Sequence, residues 1–104
     1  MSTFATAVAA LFRDRNMAVD AMHFPSGAGP GEPCRVIVGQ PDAQADFGGA
    51  RLVADSVSLQ LLTSEVPELA AGDEVEVGPE TFRIAGEPMR DALRLVWTAE
   101  ARPV

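Results

Sequence analysis

Apolar residues near the start of the chain recur at offsets of four, seven and eight, at Phe4, Val8, Leu11 and Phe12. That spacing predicts one stripe of a helix over residues 1–15, with Ser2 or Thr3 as its cap. The stripe serves the domain's own core or a partner, and the pattern allows both.

From residue 17 the period changes to two. Residues 17–24 read as a strand, with Met17, Val19, Ala21 and His23 on one face and Ala18, Asp20, Met22 and Phe24 on the other. "PSGAGPGEP", residues 25–33, packs three Gly and three Pro into nine positions and reads as a turn or mobile loop. A β-branched run, "CRVIVGQ", follows at 34–40, and then "PDAQADFGGA" at 41–50, expected to be a long flexible loop.

Residues 51–63 form the longest strand candidate, with Val53, Val57, Leu59 and Leu61 in phase and Ser56, Ser58 and Gln60 opposite. Asp55 breaks the phase, which predicts a bulge or a bend where a sheet curls into a barrel. "SEVPELAAGD" is a connector with room for one helical turn. In "GDEVEVGPETFRI", residues 72–84, Val75, Val77, Phe82 and Ile84 face inward while Glu74, Glu76, Thr81 and Arg83 face outward, a hairpin around Gly78-Pro79-Glu80. Residues 86–91 are expected to turn. Residues 92–98 then form a last strand with Leu93, Leu95 and Trp97 on one face.

One helix followed by about six short strands, without βαβ alternation, predicts a mainly β domain: a small antiparallel barrel or sandwich. The expected division is a single domain over 1–104, with the helix at 1–15, the barrel at 16–99 and a C-terminal tail at 100–104. The length of 104 residues supports one core, and 47% hydrophobic against 22% charged residues places the chain among globular proteins.

Charge narrows the choice of function. Eight Arg, no Lys and fifteen acids leave a net charge of −7, which repels nucleic acid and anionic membranes at long range. Four Arg against five acids give residues 1–52 a net −1, whereas four against ten give residues 53–104 a net −6. The apolar stretch at 5–12 is short and lacks preceding basic residues, so neither a signal peptide nor a membrane span is expected, and cytoplasmic residence is.

Candidate chemistry is sparse. His23 is the only histidine and Cys34 the only cysteine, too few for a protein-built zinc site or an internal disulfide. His23 is expected to be structural, and Cys34 a small buried apolar group. Glu74 and Glu76 are explained by strand alternation, and "GAGPGEP" lacks the Lys and Ser/Thr of a phosphate loop. No catalytic residue, metal site or cofactor is expected, and an enzyme is disfavoured.

The segment "SLQLLTSEVPELAAGDEVEVGPETFRIAGEP" together with "RLVWTAE" resembles the small head-tail joining proteins of long-tailed phages, the head completion or stopper proteins of the lambda type. Thr63, Glu65, Val66, Leu69, Gly72, Asp73, Gly78, Glu80, Phe82 and the strand around Leu95 and Trp97 carry it. The first half matches only as a plan of helix, strands and a glycine-containing loop. The resemblance implies a β-barrel subunit of a homo-oligomeric ring, a hexamer or dodecamer, in the virion neck between portal or adaptor and tail terminator. DNA would pass without specific binding, and no membrane is involved. Gene transfer agents use similar parts.

Contact residues are expected in the 42–49 loop, at Asp42, Asp46, Phe47, Gly48 and Gly49, as a segment that orders at a ring interface or projects toward the channel. The hairpin tip Gly78, Pro79 and Glu80, and the helix end at Arg13 and Asp14, are further contact candidates. The alternatives are a tail terminator or tail-completion protein, and a soluble barrel that binds a small ligand or peptide.

Overall fold

The structure, a computed structural model, describes residues 3–39, 46–47, 50–51 and 56–104, and the backbone alone at 46, 47, 50 and 51. Helix α1 (Thr3–Arg13) is followed by β1 (Val19–Phe24), a 3₁₀ turn (Pro25–Gly27) and β2 (Glu32–Gly39). Next come two short strands, β3 (Asp46–Phe47) and β4 (Ala50–Arg51), and then β5 (Val57–Leu62), β6 (Glu74–Val77), β7 (Glu80–Arg90) and β8 (Val96–Pro103). Six of these close into an antiparallel barrel in the order β1-β2-β5-β8-β7-β6, with β6 returning to β1.

Alternation builds the core. Val57, Leu59 and Leu61 of β5, Phe82 and Ile84 of β7, and Trp97, Ala99 and Ala101 of β8 point inward with Ala21, Cys34, Val36 and Val75. Each fully buried Val or Leu contributes about 1.5–3 kcal/mol relative to exposure. Six strands enclose a narrow bore, and these side chains fill it. Outside the barrel, Phe12, Ala18 and Leu62 form a second buried cluster flanked by Val8, Ile37 and Val96. That cluster seats α1 on the outer face of β2, β5 and β8.

The expected helical stripe is thus divided. Phe12 is buried and Val8 packs against its cluster, while Phe4 and Leu11 stay 60% and 48% exposed. Arg35 fixes the helix end: its guanidinium donates to the Phe12 and Ala18 carbonyls and to Asp20. A cation donating to carbonyls at a helix C-terminus satisfies groups the helix itself leaves open.

Several boundaries differ from expectation. Residues 86–91 do not turn; β7 continues to Arg90, and its register slips between Ala85, paired with Glu100, and Met89, paired with Thr98. Gly86, at φ +74, and Pro88 lie in that slip, and a bulge accommodates both residue types. The turn lies at 91–95 instead, where the Asp91 carboxylate accepts from the Leu95 and Val96 N–H groups at 2.6 and 3.1 Å.

The strand expected at 92–98 therefore begins at Val96 and absorbs the residues expected as a tail, because Ala99 and Ala101 continue the inward phase of Trp97. β2 starts at Glu32, inside the expected loop, with Pro33 paired to Met22. Within the loop expected at 41–50, Asp46 pairs with Arg51 and Phe47 with Ala50. The irregularity expected at Asp55 lies outside the described residues.

The connector from β5 to β6 makes an uncontinued helical turn ahead of Pro67, with Val66 N–H donating to the Leu62 carbonyl at 2.9 Å. It also carries core residues: Val66 and Leu69 are 1% and 6% exposed. Trp97 Nε1 donates to the Val66 carbonyl at 2.7 Å, which ties this connector to β8.

Candidate functional site

The buried titratable groups, His23, Asp73 and Cys34, are committed to the fold. His23 Nε2 lies 2.8 Å from Asp73 Oδ2, with both side chains buried. The same carboxylate accepts from the Ser26 N–H at 2.8 Å and the Ala70 N–H at 3.1 Å. Burial alone would raise the Asp73 carboxyl; the bonds from Ser26, His23 and Ala70, with the His23 charge, outweigh it and hold the group below its ordinary value. Asp73 thereby joins β1, the 3₁₀ turn and the approach to β6.

Cys34 lies inside the barrel, and burial, with the Glu65 carboxylate adding to it, pushes its thiol up to about 12. A protonated, enclosed thiol presents no nucleophile to solvent. Glu65 itself accepts from the Arg35 backbone N–H, and Glu74 pairs with Arg83 across the β6–β7 hairpin at 3.0 Å. Among the described residues the inward side chains pack against one another, and the depressions bordered by Met89 and by Pro79 lie on the barrel's outside and end.

Strand polarity orders the expected contact residues. Because neighbouring strands are antiparallel, the entry to β1, the exit of β2, the entry to β5 and the β6–β7 tip all lie at one barrel end. Arg13 and Asp14 precede β1 there; both are exposed, and Asp14 organises the turn through its side chain to Asn16 and its carbonyl to Met17 and Ala18.

Gly78, Pro79 and Glu80 are exposed at the same end. Gly78 takes φ +59 at the first central position of the two-residue loop, where type II′ turns place glycine. Asp46 and Phe47 are described only as backbone in β3, while Asp42, Gly48 and Gly49 lie outside the described residues. The chain from β2 to β5 nonetheless leaves and returns at this end.

Three surface features escaped the sequence. Pro79 and Glu80 border a depression of about 420 Å³ with Thr81, Pro103 and Val104, and the Val104 N–H donates to the Thr81 carbonyl. Reading 100–104 as a tail concealed it. Met89 is 70% exposed beside the β7 irregularity, which its Gly and Pro disguised as a turn. Arg90 stacks over Trp97 at 5.1 Å from the ring centre, a pairing across β7 and β8 that spacing alone does not reveal.

Among the described residues, no helix is long and apolar enough to cross a membrane. A family model described as phage head-tail attachment protein matches residues 1–101. No curated protein matches the chain.

Proposed function

We propose, from the premise that this chain belongs to the phage head-tail attachment family and has a structural role in the phage neck, that copies of it close into a ring joining the DNA-filled head to the tail. The observation that carries this reading is the filled bore of the six-stranded barrel. An aqueous channel through a single barrel needs far more strands, about sixteen or more. A DNA conduit made from this chain must therefore run between copies, lined by their outer surfaces.

The net charge of −7 favours that use. An acidic wall repels the phosphate backbone and lets DNA slide instead of holding it. The ring, a hexamer or dodecamer, meets portal or adaptor proteins on the head side and the tail terminator on the tail side. Assembly takes place in the host cytoplasm. We assign the contacts of the assembled ring to the barrel end with Arg13, Asp14 and the Gly78-Pro79-Glu80 tip, and place the segment holding Asp42, Asp46, Phe47, Gly48 and Gly49 at a ring interface or toward the channel.

Particles assembled without this chain test the reading. Full heads and finished tails that remain apart, and that join when the purified protein is added, are the expected result. Normal particles would overturn it, and heads bearing tails of unregulated length would favour a tail terminator.

A further inference from the structure

Helix α1 carries no charged residue before Arg13. Its apolar stripe of Phe4, Val8, Leu11 and Phe12 is wider than the part that the barrel covers. Here only the side bearing Val8 and Phe12 meets the barrel. Phe4 and Leu11, seven residues and two turns apart, share the outward face with Ala7 between them.

A recess lies on the outer side of β5, β8 and β7. There the irregularity at Gly86 and Pro88 interrupts the pairing of β7 with β8, beside a depression of about 440 Å³ with predominantly apolar walls. The exposed Met89 and Thr98 line it together with the buried, inward-pointing Val57 and Ala99, and Glu87 and Glu100 stand at it.

Charge relates the two surfaces. Arg13 and Arg15 follow the Phe4–Leu11 face directly, and Glu87 and Glu100 accompany the depression. All four are exposed, and none has an ion-pair partner among the described residues.

We infer that α1 of one copy docks in the Met89 depression of the next copy, with Phe4 and Leu11 as anchors and Arg13 and Arg15 facing Glu87 and Glu100. The inference deepens the ring reading and rests on it. Both halves of the contact are on this chain, and they are different surfaces, so the contact is heterologous and runs head to tail around a ring. Apolar anchors supply affinity, while the opposite charges set direction and register.

Cross-linking between two single-cysteine variants tests this in joined particles. Leu11→Cys protein and Met89→Cys protein are mixed, added to heads and tails lacking this chain, and oxidised; buried Cys34 does not compete. A two-chain product from the mixture, and from neither variant alone, is expected. A product from Leu11→Cys alone would mean helix against helix and would overturn the inference, as would no product from particles that have joined.

Charge exchange gives a second readout. Arg13→Glu with Arg15→Glu, or Glu87→Arg with Glu100→Arg, should each lower joining at least tenfold, and all four together should recover most of it. A fourfold variant no better than its parents, though folded by circular dichroism, would contradict the inference. If wild-type protein joins heads and tails but the cross-link is absent, this interface fails and the neck role stands. If wild-type protein joins nothing, the neck role fails, and the same cross-link in concentrated purified protein decides the interface.

Discussion

His23 and Asp73, fifty residues apart in sequence, meet inside the protein with Nε2 and Oδ2 2.8 Å apart. The same carboxylate holds the Ser26 and Ala70 N–H groups, so one side chain satisfies three donors from three segments. That makes it a structural hub at the barrel end opposite the Gly78-Pro79-Glu80 tip.

Asp73→Ala should destabilise the fold by about 3 kcal/mol, because it leaves buried donors without a partner. Urea unfolding followed by Trp97 fluorescence measures this. Asp73→Asn, which keeps the volume and one acceptor, should cost less.

Acid should weaken the same hub. The folded-state pKa of Asp73 lies below its ordinary value, so the stabilisation is complete above the unfolded aspartate pKa, about 3.9, and is lost as pH falls through the folded value. Unfolding midpoints measured from neutral pH downward should fall below about pH 4, and the fall should be shallower in Asp73→Asn.

Arg35→Lys should loosen α1, since a lysine ammonium cannot reproduce the planar fork that reaches the Phe12 carbonyl, the Ala18 carbonyl and Asp20 together. The expected loss is about 1–2 kcal/mol. Hydrogen exchange should quicken in α1 while the β5 and β8 amides keep their protection. Equal acceleration in those strands would assign Arg35 to the whole barrel instead.

Cys34 should resist maleimide at neutral pH in the folded protein and react fully in denaturant. Its thiol is buried and pushed up to about 12. Rapid labelling of the native protein would show that the barrel opens readily around β2.

These particulars show what the sequence discloses. Val75, Val77, Phe82 and Ile84 revealed their hairpin because alternation against water leaves a period-two record. Trp97 was readable as a core residue for its size, whereas Ala99 and Ala101 were not, since small residues alternating with Thr98, Glu100 and Arg102 resemble a polar tail. Gly86 and Pro88 have the composition of a turn and the conformation of a bulge, and only pairing with β8 distinguishes the two. Val66 and Leu69 lie in an aperiodic connector, so no period marks their burial. Of the proposed contact surface, the exposed tip could be read from Gly78-Pro79-Glu80; that the helix end and the β2–β5 passage share its barrel end depends on strand order, which local patterns do not encode.

Electron cryomicroscopy of joined particles tests the central claim most directly. The account predicts a closed ring at the neck in which each copy is a six-stranded barrel with a filled bore, and DNA lies in the space between copies, against their outer surfaces. A neck density without this barrel, or single copies attached outside a channel formed entirely by other proteins, would contradict it.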